Sequence, residues 1–514
     1  MGLAKKFFTV SGLTIVSRIL GGFRETLLVH FLGASVEMDA FTTAFKFPSF
    51  FRRFFAEGGF QSIFVPYFTD FTATNKYNGA KYFSSRIFSL IFWIMLLSTI
   101  LVEIFAKEFT LFMAPGFVNI PEKLKLTTEF TRIVFPSVAF VSLSTIYSGI
   151  LISKHKFFPF AMAPILVNFV LIISLFIGKD IFSAGRRISY GVLAAGIFQL
   201  FYMYFCVKFQ KLPTPRLSSL KLSMKVKNLL KNLTPVLAGA GVAQVNILMG
   251  SFFASFLPTG CITYLYCADR FIQFPLALFG ISMGIVLLPE IAEEIAKGQK
   301  SNNIKNIQNK SILFTLRLTL PSVCGLIALS YYMISLLYGH GKFDQSAVLH
   351  TSNVLKISAI GLPSFVMAKI MSSVLFAQKN TKAPMKAAII SIIANIILSL
   401  ILIKPFHEIG LAISSTIAGF VNVFIMCRQS NGWFKFEKSL IIDFLRILIA
   451  SAFMLLVILL INHYNNPISK LHEFFTMCLS CFVGFTLYVV SLIFLKDKTV
   501  ISYVNLVYRK IKKY

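Results

Sequence analysis

Acidic residues are scarce in this chain: Asp and Glu together number 20 of 514, against 50 Lys and Arg. Charged residues of both signs reach only 14%, where a soluble domain carries about 25%. A drug or cation antiporter needs an acidic cavity, and the excess of arginine argues against one. A transferase acting on polyprenyl phosphates would need a carboxylate or histidine cluster at the membrane surface, and none stands out. The nucleotide-binding pattern G-x-x-x-x-G-K-[ST] is missing, so the chain carries no ATP-driven motor of its own. His407-Glu408 and His472-Glu473 lack the second histidine of a zinc peptidase. The seven cysteines (206, 261, 267, 324, 427, 478 and 481) fall in or beside apolar segments. They read as inert thiols, the C-x-x-C at Cys478 and Cys481 included. No small-residue cleavage site follows Lys5 and Lys6, so the first apolar segment is expected to stay as a helix. No catalytic residue, metal or cofactor is expected.

What the chain has in abundance is apolar sequence: 56% hydrophobic and 15% aromatic residues, with a mean hydropathy of +0.76. Runs near the ~20 residues that cross a bilayer recur throughout. They predict an all-α, polytopic membrane protein of fourteen transmembrane helices, near 8–32, 38–70, 84–106, 130–153, 159–178, 188–208, 234–257, 262–294, 312–338, 350–378, 384–403, 408–428, 441–462 and 473–495. The net charge of +30 is spread over short loops between these runs, which excludes a nucleic-acid partner. Alternate loops hold roughly thirty basic residues on one side and roughly ten on the other, which places both termini in the cytoplasm. An even helix count requires the same.

Prolines recur at a fixed offset. Phe47-Pro48 matches Phe274-Pro275, Phe135-Pro136-Ser137 matches Leu362-Pro363-Ser364, and Asn168 matches Asn395, each displaced by 227 residues. Two six-helix lobes are therefore expected, related by a pseudo-two-fold axis along the membrane normal, with two further helices at the end. The expected division is 1–216 for helices 1–6 and 217–233 for a cytoplasmic linker, then 234–430 for helices 7–12 and 431–514 for helices 13–14 with a basic tail. In the linker, Lys221, Lys225, Lys227 and Lys231 alternate with Leu220, Leu222, Val226, Leu229 and Leu230. This basic amphipathic stretch suits the anionic inner-leaflet lipids.

The duplication does not extend to the charges. Arg18, Arg24, Arg52 and Arg53 lie within the first two predicted spans, and each would cost roughly 2.5–3.5 kcal/mol at mid-bilayer. Such residues should face water, carboxylates or a bound anion. Arginine grips phosphate oxygens in bidentate fashion, so Arg18, Arg24, Arg52 and Arg270 are expected to bind a pyrophosphate-like substrate. Asp39, Lys46, Arg53, Glu57 and Asp269 are expected in charge pairing or gating. Arg53 and Glu57 stand at i, i+4, and Asp39 is placed to reach Arg24 or Lys46; Glu25, adjacent to Arg24, should not face it. The pairs Gly21-Gly22 and Gly58-Gly59 are candidate hinges.

The stretches S-R-I-L-G-G-F-R-E, D-A-F-T-T-A-F-K-F-P and F-R-R-F-F-A-E-G-G-F-Q-S-I-F-V-P resemble the lipid II flippase family, MurJ or MviN, of the multidrug/oligosaccharidyl-lipid/polysaccharide exporter superfamily. The likeness continues through Ala114-Pro115-Gly116-Phe117, Tyr266-Cys267-Ala268-Asp269-Arg270 and Gly341-Lys342-Phe343. The resemblance implies a bacterial inner-membrane protein with two lobes around a cationic cavity. It also implies a substrate, undecaprenyl-pyrophosphoryl disaccharide-pentapeptide, moved to the periplasmic leaflet by alternating access for peptidoglycan synthesis and cell shape. Cell-wall synthesis enzymes are implied partners. The family's cavity arginines fall on Arg18, Arg24, Arg52 and Arg270, and its acidic residues on Asp39, Glu57 and Asp269. Some members carry acidic residues for sodium in the eleventh helix; 384–403 has none, which leaves membrane potential or a proton gradient as the drive. The alternatives within the superfamily are another polyprenyl-pyrophosphate oligosaccharide flippase or a drug/cation antiporter.

Overall fold

A backbone amide in hydrocarbon has no water to bond, so apolar segments of this length satisfy their own peptide groups as helices. The computed structural model describes residues 3–56, 59–74, 76–219, 229, 231, 246, 248–297, 301–378, 380–429, 438–465, 469–497 and 499–502. Among these residues the regular structure is entirely helical. Among the described residues ten helices have the length and apolarity to cross a bilayer, and one of them, Lys382–Gln429, contains two predicted spans. The protein is an all-α, multi-pass membrane protein. Its chain divides into two compact units, Met1–Thr263 with Gly341–Phe343, and Tyr264–His340 with Asp344–Tyr514.

In the first unit the order is α1 (Leu3–Leu32), α2 (Val36–Ala56), α3 (Gly59–Thr74), α4 (Lys76–Ile104), α5 (Ala106–Met113), a 3-10 turn (Pro115–Asn119), α6 (Pro121–Val134), α7 (Ser137–Ser153), α8 (Phe157–Ser174) and α9 (Ala184–Phe209). The span expected over 38–70 is helical on both sides of residues 57 and 58, as α2 up to Ala56 and α3 from Gly59; those two residues lie outside the described ones. The third span begins at Lys76 instead of 84, because the charged stretch before it continues the helix. Pro115 opens the 3-10 turn, where its missing amide leaves no bond unmade.

The core of this unit is aromatic. Phe60, Phe64 and Phe68 stack at one-turn intervals along α3, with ring centroids 5.3 and 5.5 Å apart. Phe83 of α4 joins them, 6.1 Å from Phe64 and stacked against Phe71 at 4.4 Å. From the other side α7 approaches closely: a Cβ on Gly149 would sit 2.5 Å from the Phe64 ring. Ser142, Ser144, Thr145 and Ser148 of α7 are buried as well. Their hydroxyls are satisfied locally, Ser144 donating to the Val141 carbonyl and Ser148 to that of Thr145. Gln61 and Gln199 reach in from α3 and α9 to Ser148 and Ser144, at 2.6 and 3.0 Å.

After α9 the chain runs extended over 212–219 beside α4. The Arg216 amide donates to Ser85 Oγ at 3.0 Å, and the Ser218 amide to Ser89 Oγ at 2.7 Å. Two extended residues span about one helical turn, so alternate amides meet hydroxyls four residues apart. Of the remaining linker, Leu229 is buried in the aromatic core and Lys231 is exposed; the other residues of 220–233 lie outside the described residues. Gly33 (φ +65°) and Gly341 (φ +67°) adopt the left-handed conformation. A Cβ on either would press within 2.3–2.5 Å of the Lys342 or His30 carbonyl oxygen. That explains the glycine of the G-K-F motif.

The second unit contains α10 (Cys261–Pro275, from Tyr264 onward), a π-helical turn (Leu276–Ile281), α11 (Ser282–Ala296), α12 (Ser301–Tyr338), α13 (Gln345–Ala377), α14 (Lys382–Gln429), α15 (Lys438–Tyr464) and α16 (Lys470–Phe494). Pro275 lacks the amide that an α-turn needs, and the wider turn follows it directly. The eleventh and twelfth expected spans both lie in α14, which turns at His407 (φ 48°, ψ −127°). Helices α12, α15 and α16 share an apolar core that includes Leu329, Ile447, Ile458 and Leu492. One ion pair is sealed beside it. Arg317 Nε and Nη2 donate to Asp497 Oδ2 at 3.0 and 2.8 Å, and Tyr488 Oη donates to the Arg317 carbonyl at 2.7 Å.

Phe64→Ala is expected to cost about 3–5 kcal/mol, since it removes the ring on which three others stack. Trp93→Ala, at a half-exposed position of α4, should cost about 1 kcal/mol or less in unfolding followed in detergent. Equal losses for the two would contradict the placement of the core.

Candidate functional site

Arg18 and Arg24 sit two turns apart on α1. Arg18 is exposed. Arg24 is largely buried and donates through Nη1 to Asn168 Oδ1 on α8 at 2.9 Å, and through Nη2 to Glu25 Oε1. The Glu25 contact corrects the expectation that neighbours on a helix face apart: the guanidinium reaches along the helix surface to the adjacent carboxylate. Asn168 also donates from Nδ2 to the Ser17 carbonyl at 3.1 Å. Gly21, half-buried, lies between these two contacts, and Gly22 is exposed. Among the described residues, two of the five guanidinium N–H groups of Arg24 are engaged. The others remain available to an anion.

Asp39 is paired differently from expectation. Its carboxylate and the Lys123 ammonium are both fully buried, 2.7 Å apart. Oδ2 also accepts from the Gly260 amide at 2.8 Å, and Oδ1 from the Thr263 amide and hydroxyl at 3.0 and 2.7 Å. Neither Arg24 nor Lys46 takes this place. Asp39 stands in the first turn of α2, on the opposite side of the α1–α2 turn from Arg24, and its carboxylate is already saturated by four donors. Lys46 Nζ instead donates to the buried Ser251 Oγ at 2.5 Å. The A-P-G-F motif belongs to the Asp39 cluster: the Gly116 amide donates to Ser255 Oγ at 3.0 Å, and Lys123 Nζ lies 5.0 Å over the Phe117 ring.

Arg52 and Arg53 lie on α2, with side chains outside the described residues; Glu57 and Gly58 lie wholly outside them, and Gly59 is the first residue of α3. In the second unit Arg270 is half-buried, its guanidinium stacked on the Tyr266 ring 4.4 Å away on the same face of α10. Asp269 is exposed and accepts from Gln273 Nε2 at 3.1 Å. The two H-E pairs serve packing. Glu408 Oε1 bonds His350 Nδ1 at 2.6 Å, and Glu473 accepts from Ser335 Oγ at 2.8 Å with Lys470 at 3.4 Å. Among the described residues no group of three or more His, Cys, Asp and Glu side chains is placed to hold a metal ion.

Lys123, Asn168, Thr263 and Tyr266 are the partners that sequence reasoning did not assign to the charged residues. Lys123 reads as an ordinary loop lysine, and Thr263 carries no charge to draw notice. Asn168 stood out only as a repeat marker, and Tyr266 only as part of a motif.

The sequence model of the family described as "Lipid II flippase MurJ" matches residues 28–480. The chain belongs to the MurJ family. A probable lipid II flippase MurJ from Rhizobium tropici is 38% identical over 478 residues, covering 91% of this chain and 89% of that protein. One from Buchnera aphidicola subsp. Acyrthosiphon pisum is 31% identical over 513 residues, covering 99% and 100%. A solved MurJ, in an inward closed conformation, superposes with a TM-score of 0.81 at 29% identity, over 97% of this chain and 99% of that one. A multidrug-resistance MATE transporter of the MOP superfamily shares the fold alone, with a TM-score of 0.66 at 13% identity, over 87% and 95%. Membership of the MurJ family places the chain among membrane transporters, not enzymes.

Lys123→Met is expected to cost about 3–5 kcal/mol, because it strands a buried carboxylate. Glu129→Gln, which breaks the more exposed Arg186–Glu129 pair, should cost about 1 kcal/mol or less. Comparable melting temperatures for the two variants would show that the Asp39 cluster is not sealed in solution.

Proposed function

We propose that this protein is a lipid II flippase that carries undecaprenyl-pyrophosphoryl disaccharide-pentapeptide from the cytoplasmic to the periplasmic leaflet of the bacterial inner membrane. The observation that supports this best is the partial engagement of Arg24 within a chain of the MurJ family. A guanidinium with open donors at bilayer depth is matched to a polyanionic headgroup. Arg18, Arg24, Arg52 and Arg270 take the pyrophosphate, Arg270 with its guanidinium braced on the Tyr266 ring. Asp39, Lys46, Arg53, Glu57 and Asp269 pair or gate, and Gly21, Gly22, Gly58 and Gly59 let the helices bend. Both termini are cytoplasmic, and the loops rich in Lys and Arg face the anionic leaflet.

Transport proceeds by alternating access. Charge-assisted bonds to pyrophosphate differ between the two access states, which supplies the differential affinity that a ligand-driven shift needs. The polyprenyl tail stays in lipid throughout, so only the polar head requires a wet path. Delivery on the far leaflet hands the substrate to cell-wall synthesis enzymes.

Reconstituted translocation of labelled lipid II tests this reading. Arg18→Ala, Arg24→Ala and Arg270→Ala should each insert normally and lower transport about 10- to 100-fold, as loss of a bond to a charged group predicts. Wild-type rates in all three variants would remove the assignment.

A further inference from the structure

A side-chain amide buried in an apolar segment is retained only where both of its ends are bonded. Asn168 of α8 is 7% exposed, and both ends are spent on α1. Nδ2 donates to the Ser17 carbonyl at 3.1 Å, and Oδ1 accepts from Arg24 Nη1 at 2.9 Å. Residues 17, 21 and 24 follow one another at i, i+4 and i+7, a single stripe of the helix. Asn168 therefore spans the stretch of α1 that contains Gly21 and Gly22.

The carbonyl it touches is informative. In a regular α-helix the Ser17 oxygen belongs to the Gly21 amide. A second donor on that oxygen gives it a partner that persists when the backbone bond at the glycines opens, one of the recognised ways a helix is bent from outside. A Cβ on Gly21 would lie 3.6 Å from Asn168 Nδ2, in ordinary contact. The glycine is thus not required by space there, which leaves pliancy as its use. The same amide holds the guanidinium head, so bending and arginine direction share one side chain.

Charge explains why the residue is Asn and not Asp. Glu25 already balances the Arg24 guanidinium. A second carboxylate would leave the group net negative and repel a pyrophosphate, whereas an amide oxygen orients the guanidinium without discharging it. Resting on the flippase reading above for the identity of the anion, we propose that Asn168 is a positioning residue that couples the bend of α1 at Gly21–Gly22 to the orientation of Arg24 toward the substrate's pyrophosphate.

The test uses the full-length protein in liposomes with three variants. Asn168→Leu keeps volume and loses both bonds. Asn168→Asp adds the second carboxylate, and Asn168→Asp/Glu25→Gln moves one negative charge from position 25 to 168. Readouts are KM and kcat for lipid II, melting temperature, and amide hydrogen exchange over 17–26 without substrate. Asn168→Leu should raise KM about tenfold with a smaller change in kcat. It should also slow exchange at Gly21 and Gly22, because the Ser17 carbonyl then serves the helix alone, while melting stays unchanged. Asn168→Asp should bind more weakly still, and the double variant should return KM to within about threefold of wild type, as coupled charges require.

Where the wild type transports lipid II, an unchanged KM in Asn168→Leu, or a double variant no better than Asn168→Asp, overturns the proposal. Where the wild type moves no lipid II, the flippase reading fails and exchange alone decides the role of Asn168. Exchange at Gly21 and Gly22 that is unchanged or faster than wild type then marks it as mere packing.

Discussion

A charge carried into hydrocarbon must be matched by something, and this constraint organises the rest of the molecule. With 20 carboxylates for 50 basic side chains, the protein cannot match every cation internally. Loop lysines and arginines reach water and lipid headgroups. Those within helices must divide a short supply of acids. The buried carboxylates among the described residues are committed: Asp39 to Lys123, Asp497 to Arg317, Glu473 to Ser335 and Lys470, Glu408 to His350, Glu25 to Arg24.

Degree of saturation then separates two kinds of buried charge. Asp39 accepts from four donors and is fully enclosed. Removing any one partner there leaves a desolvated group, and such sites act as fixed points of the fold. Arg24 has a neutral amide and one carboxylate, and Arg18 is exposed. Donors held in place but not exhausted are what a binding site requires. Family membership and the incomplete pairing of these arginines point the same way for independent reasons, one from descent and the other from bonding.

Much of the fold was legible because a bilayer leaves few choices. Length and apolarity alone locate helices such as α4, α9 and α15, and the cost of charge alone picks out Arg18 and Arg24. Partners were harder. Asp39 was expected to reach Arg24 or Lys46 because only the first two helices were in view, but its partners come from α6 and from residues 260–263, far away in sequence. Nothing in P-E-K-L-K distinguishes a sealed lysine from a wet one; enclosure by Phe117 and neighbouring helices does that. The turn at His407 falls in the gap expected between the spans 384–403 and 408–428, where Lys404 and Pro405 interrupt the apolar run.

Glu25 also bears on how a carrier lets go. An arginine that bound pyrophosphate and had no substitute would face a desolvated, unmatched state on release, and tight binding would become a trap. At roughly 2.5–3.5 kcal/mol for an unmatched guanidinium at mid-bilayer, that penalty alone would slow departure by about two orders of magnitude. In the proposed cycle a carboxylate adjacent on the same helix would convert release into exchange, Glu25 taking back the N–H groups that the phosphate leaves. The carboxylate does not oppose this as a second fixed charge from α8 would, because it travels with Arg24 on the same helix. Affinity is lowered by the competition, and turnover gains because bound and empty states become closer in free energy. The pairing of Arg24 with its own neighbour is therefore compatible with transport, whereas the four donors around Asp39 hold that carboxylate in a fixed pair.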